Sequence, residues 1–193
     1  MRPPIRAFIA IELDERIRRE LARLQDRLKT AEADIKWADT SSIHLTLKFL
    51  GDIQPETLDN VERAMARTAG RFTHFHMDIG ALGAFPDRNK PRVIWASVTK
   101  RANYLHDMVR RLTEELGGLA NDDTARNFTP HITLGRSRTE TPAPQLTTLL
   151  KNTHAPAGLS QKVERITLFR SELLPKGPIY HVLYSVALGD DET

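Results

Sequence analysis

Two short stretches of the chain hold residues suited to moving protons. They are Ile43-His44-Leu45-Thr46-Leu47 and His131-Ile132-Thr133-Leu134, each a His-x-Thr followed by leucine. An imidazole titrates near neutral pH, so one ring can accept a proton from water while a second donates one to a leaving oxygen. The hydroxyls of Thr46 and Thr133 can hold non-bridging phosphate oxygens. A strained cyclic phosphate could be opened by an acid, a base and positioning alone, without a metal. Taken singly, a His-x-Thr on a strand is more often a wet face than a site. Its duplication changes the weighing, because two copies in equivalent places make a symmetric site.

The elements around the motifs support that duplication. Residues two apart share a face of a strand. His44 and Thr46 therefore point one way, with Ile43, Leu45 and Leu47 toward a core. His131 and Thr133 likewise oppose Ile132 and Leu134. Before the first motif, residues 6–13 (RAFIAIEL) predict a buried strand, and Ile17, Leu21, Leu24 and Leu28 predict a helix over 14–31. Residues 35–37 suit a short strand, and the motif strand is expected to end at Gly51-Asp52. A helix should follow Pro55, then a long strand within 72–85. The second half repeats this order, with a strand over 93–98, a helix over 101–117, a strand over 131–135, a helix over 144–152 and strands over 162–172 and 178–188. The segments GAFPDRNKPR and TETPAPQ read as loops, and the GDDET tail as frayed. His44 and His131 lie 87 positions apart, as do Ile79 and Ile166. The expected fold is α+β and bilobal, with two pseudo-symmetric lobes, each an antiparallel sheet with helices, and equivalent strands facing each other across a central cleft. Residues 1–193 are expected to form one such unit.

Bulk properties set the remaining bounds. A chain of 193 residues buries roughly 70% of its unfolded surface, so it needs no disulfide or structural metal to fold. With no cysteine, thiolate metal sites and cysteine nucleophiles are excluded. No stretch approaches the ~18 apolar residues of a membrane span. Charge at Glu12 and Asp14 comes too early for a signal peptide, so the cytoplasm is expected. The net charge of +3 and pI of about 9.3 suit a polyanionic partner, although such a balance is commonly just a solvated surface. Phosphate-cradling, dinucleotide, zincin and serine-hydrolase patterns are absent.

The chain resembles the two-histidine phosphoesterase superfamily, and within it the RNA 2′,3′-cyclic phosphodiesterases, also called 2′-5′ RNA ligases. The two His-x-Thr-x motifs, at 44–47 and 131–134, carry the resemblance. RAFIAIEL at 6–13, HLTLKFLGD at 44–52, LGAFPDRNKPRVIWASV at 82–98, FTPHITLGR at 128–136 and the closing LFRSEL and PIYHVLYSVAL extend it over nearly the whole chain. The resemblance implies that His44 is the proton donor and His131 the proton acceptor, acting without cofactor or metal. It implies RNA 2′,3′-cyclic ends or cyclic nucleotides as partners and a 2′-phosphate as product. Arg136 matches a position that the family uses near the nucleotide, although strict alternation places it on the core side. Lys48 shares a face with His44 and Thr46 by the same alternation, so it could help hold phosphate. Phe49, Trp37 and Trp95 read as core. Arg92 could reach RNA or cap a loop. His74-x-His76 has a spacing that metals accept, but no third ligand lies nearby. Alternatives to hydrolysis are the reverse ligation, a phosphodiesterase for small cyclic nucleotides, and a non-catalytic RNA-binding module; the presence of both histidines counts against the last. A monomer is expected.

Overall fold

The structure, a computed structural model, describes residues 2–119, 128–139, 143–175 and 177–190. Its strands are β1 (Ile5–Glu12), β2 (Ile35–Trp37), β3 (His44–Ile53), β4 (Phe75–Pro86), β5 (Pro91–Val98), β6 (His131–Ser137), β7 (Ser160–Val163), β8 (Arg165–Leu174) and β9 (Gly177–Ala187). The helices among the described residues are α1 (Glu15–Lys29), α2 (Leu58–Ala69), α3 (Ala102–Leu116) and α4 (Pro144–Asn152). The expected α+β class holds. Ile17, Leu21, Leu24 and Leu28 of α1 are buried at helical spacing, as are Leu105, Met108, Val109 and Leu112 of α3.

All strand pairings between named elements are antiparallel, in the order β7-β4-β5-β6-β3-β1-β8-β9, with β2 also paired to β6. The order is symmetric about its middle. The motif strands β3 and β6 are neighbours, each followed outward by the first strand of its own half, β1 or β5. Next comes the long strand of the other half: β8 pairs with β1, and β4 with β5. The two halves thus exchange their long strands. They meet where Leu45 pairs with Ile132, and β2 then takes over the edge of β6 from Gly135 to Ser137. The motif strands therefore lie side by side at the centre of the order, where the two halves of the bilobal fold join.

One face of the sheet carries the core. Ile9, Ile11, Leu45, Ile94, Ile132 and Leu168 pack there with the buried sides of all four helices. Phe8, Ala10 and Phe169 form a small separate cluster on the other face, with Tyr180 against it. Each helix turns a single apolar stripe to the core face, while β1 is buried on both faces, with Ile9 and Ile11 in the main core and Phe8 and Ala10 in the small cluster.

Several boundaries differ from the sequence expectation for local reasons. The expected loop at 83–92 is mostly a hairpin, because Pro86 and Pro91 face each other at the strand ends, where a missing N–H is tolerated. The strand expected over 162–172 is two, β7 and β8, interrupted at Glu164. The helix after Pro55 begins as a 3-10 turn over Pro55–Thr57. The tail is tied down at its start, since the Gly189 N–H donates to the Phe72 carbonyl (2.9 Å) and the His74 N–H to that of Gly189 (2.9 Å). Residues 140–142 of the TETPAPQ loop and 191–193 of the tail lie outside the described residues.

Candidate active site

His44 opens β3 and His131 opens β6. The pairing of Leu45 with Ile132 turns those two toward the core and leaves both histidines and both threonines on the opposite face. An antiparallel register through that pair carries His44 toward Thr133 and Thr46 toward His131. Both imidazoles and both hydroxyls thus share one face of the sheet.

The two rings are held alike. His44 Nδ1 lies 2.8 Å from the Ser42 carbonyl and His131 Nδ1 2.7 Å from that of Thr129. A carbonyl only accepts, so Nδ1 carries the hydrogen in both. Each Nε2 is then the nitrogen available for proton transfer. Burial pushes both pKa values below the ordinary imidazole value, and the Nδ1 bonds pull partly back. The Arg136 guanidinium depresses His131 further.

Aromatic side chains pack against each ring. Phe8 stacks on His44 with centroids 4.7 Å apart, and Tyr180 meets it edge-on at 5.2 Å. Phe169 stacks on Phe8 at 5.2 Å. Around His131, Phe85 stands edge-on at 5.2 Å and Trp95 at 6.3 Å. Gly83 makes room for that indole, since a Cβ there would meet the Trp95 ring at 2.3 Å. Its apolar surroundings suggest that Trp95 belongs to the core; its pairing with Thr133 instead puts it, half-buried, on the histidine face. Trp37, by contrast, does pack on the main core. A cavity of about 350 Å³ adjoins His44, lined by Ser42, Phe169, Tyr180 and Val182 among others.

Both motif strands bulge immediately after the threonine. In β3 the register passes from Ala10–Thr46 to Ile9–Lys48, leaving Leu47 unpaired. In β6 it passes from Trp95–Thr133 to Ile94–Gly135, leaving Leu134 extra. A bulge adds one residue and so inverts the facing of everything beyond it. The displaced Leu134 carbonyl is satisfied by the Ala38 N–H (2.9 Å) and by Gln25 Nε2 of α1 (2.8 Å).

The bulges correct three expectations. Lys48 does not share the face of His44; it pairs with Ile9 on the core face and is only 1% exposed. Phe49 is not core but 53% exposed on the histidine side, opposite Phe8. Arg136 is exposed on the face of His131 and Thr133, not on the core side. Phe49 and Arg136 occupy equivalent places in the two halves. Arg92 is exposed, at the register shift between the Phe85–Val93 and Pro86–Pro91 pairs. Among the described residues, no group of three or more His, Cys, Asp or Glu is gathered as metal ligands, His74 and His76 included.

The family profile of LigT-like phosphoesterases matches residues 11–95 and again 97–180, one match for each half. The chain belongs to the LigT-like phosphoesterase family. A relative from Methanothermobacter thermautotrophicus named RNA 2′,3′-cyclic phosphodiesterase is 34% identical over 91% of this LigT-like chain and 95% of its own. One of the same name from Aquifex aeolicus is 30% identical over 96% and 98%. Among solved structures, a protein of Thermus thermophilus superposes with a TM-score of 0.79 at 29% identity, over 97% of this chain and 100% of its own. Escherichia coli LigT complexed with 3′-AMP superposes at 0.72 and 26% identity, over 97% and 99%. No helix among the described residues of the LigT-like chain is long and apolar enough to cross a membrane.

Sequence reasoning found the motifs but not the aromatic residues that hold them. Phe8, Phe85, Phe169 and Tyr180 come from four different strands, and their meeting depends on the exchange of long strands between halves. The family-like segments RAFIAIEL, LGAFPDRNKPRVIWASV, LFRSEL and PIYHVLYSVAL contain all four without indicating that they gather around the histidines.

Proposed function

We propose that the chain hydrolyses RNA 2′,3′-cyclic phosphate ends to 2′-phosphomonoesters by acid–base chemistry between His44 and His131. The observation that carries this reading is the matched pair of Nδ1-anchored imidazoles on one face, which both motif threonines share. Relatives named RNA 2′,3′-cyclic phosphodiesterase, alike along nearly their full length, support it. The whole chain acts as one bilobal unit, because each half supplies one histidine and one threonine.

In this mechanism His131 Nε2 takes a proton from water as the water oxygen bonds to phosphorus. The bond from phosphorus to the 3′ oxygen breaks, and His44 Nε2–H protonates that oxygen. The phosphate stays on the 2′ oxygen. Thr46 and Thr133 hold the non-bridging oxygens. Arg136, which lowers the His131 pKa, keeps that ring neutral as a base and draws the anionic substrate. Both protonation states arise within the protein, so neither cofactor nor metal takes part in any step.

The pH dependence tests this scheme. The base must be neutral and the acid charged at the same time, so kcat/KM should follow a bell. Both rings lie below their ordinary value in the free protein, so both limbs should fall toward the acid side of ~6.5. Bound phosphate favours the charged imidazole and raises its pKa, so the kcat profile should move to higher pH. The limbs belong to the pair jointly. Rates measured on a cyclic-ended oligonucleotide from pH 4.5 to 9 check this; a profile with one limb only would remove the acid–base pair.

A further inference from the structure

Arg6 stands on the histidine face but takes no part in the chemistry above. Alternation along β1 gives it the facing of Phe8, Ala10 and Glu12. It is exposed, and its side chain makes no hydrogen bond or ion pair among the described residues, even with its cross-strand neighbour Asp52. Its charge and that of Arg136 both bear on the Tyr180 hydroxyl, each opposing the upward push of burial on that phenol. Two guanidinium groups, one from each half, thus belong to the histidine face and act on the same phenol.

Their places differ. Arg136 lies with His131, where the reacting phosphate belongs. Arg6 is separated from His44 by Phe8, which stacks on that ring. One strand repeat, ~6.8 Å, divides the backbones of Arg6 and Phe8. The second positive charge thus lies beyond the Phe8–His44 stack, on the side toward Asp52, where a phosphate further along a nucleic-acid strand can meet it. Opposite Phe8, exposed Phe49 offers a ring of the kind on which bases stack. A cyclic mononucleotide has no second phosphate; a polynucleotide end has one, joining the terminal nucleotide to its predecessor.

We propose that Arg6 binds the phosphodiester immediately 5′ of the cyclic terminus and so makes the cleft favour polymeric RNA ends over cyclic mononucleotides. This rests on the phosphodiesterase reading of the cleft. Asp52 beside Arg6 tempers the affinity, so the effect is one of several-fold. Hydrolysis of a cyclic-ended oligoribonucleotide and of a 2′,3′-cyclic mononucleotide should be compared for the wild type, Arg6→Ala and Arg6→Lys. Arg6→Ala should raise KM for the oligonucleotide roughly 3–10-fold, leave the mononucleotide unchanged and flatten the salt dependence by about one unit of slope. Arg6→Lys should restore part of the loss. Equal effects on both substrates, or none on either, would overturn the proposal. A parallel anisotropy measurement uses a labelled oligoribonucleotide with a 2′-phosphate end, which needs no turnover. If the wild type cleaves neither substrate, the phosphodiesterase reading fails while the binding of this probe to Arg6→Ala still decides the role of Arg6.

Discussion

Alanine at His131 is expected to lower turnover of a cyclic-ended RNA by roughly 10²–10⁴-fold, and alanine at His44 by a similar factor. Each ring opens its motif strand on the shared face, and each is oriented by a backbone carbonyl two residues before it. Neither ring holds the core together, so both variants should fold, with unaltered circular dichroism. Acid and base act in one step, so the double variant should fall little below either single one, as groups working as a unit are not additive. Thr46→Ala and Thr133→Ala should lose less, since each removes a hydroxyl and leaves the proton transfers in place. Near-wild-type turnover by either folded histidine variant would remove that residue from the mechanism.

Phe8→Ala should show the largest combined effect on stability and activity. The ring is 3% exposed, stacks between His44 and Phe169 and meets Tyr180 edge-on at 4.9 Å. Removing a buried phenylalanine costs about 3–5 kcal/mol. In a chain of this length that is a fall in melting temperature of about 10 °C or more. His44 would keep its bond to Ser42 but lose the surface that fixes its plane, so kcat should drop in the surviving folded protein. Phe8→Leu, which fills most of the space, should recover stability more fully than activity. A Phe8→Ala protein that melts and turns over like the wild type would contradict the packing described.

The difference between what alternation conveys and what it hides is concentrated in a few residues. His44, Thr46, His131 and Thr133 were legible because each pair precedes its bulge, where a period of two still holds. Leu47 breaks that period with no glycine or proline beside it and Leu134 does so just before Gly135, and so Lys48, Phe49 and Arg136 all face opposite to expectation. The bulge in β6 depends on Gln25, more than a hundred residues away, which satisfies its carbonyl. No local pattern encodes such a partner. The α+β class and the helices followed from apolar spacing, whereas the exchange of β4 and β8 between halves is a matter of long-range pairing. Tyr180 reaches His44 only through that exchange.

The most direct test is the product itself. A synthetic oligoribonucleotide ending in a 2′,3′-cyclic phosphate, incubated with the protein in excess EDTA, should be converted to a single species whose phosphorus resonance is that of a terminal 2′-phosphate. A 3′-phosphate would mean that His44 does not protonate the 3′ oxygen. No conversion, or conversion only when a divalent ion is restored, would contradict hydrolysis by the histidine pair.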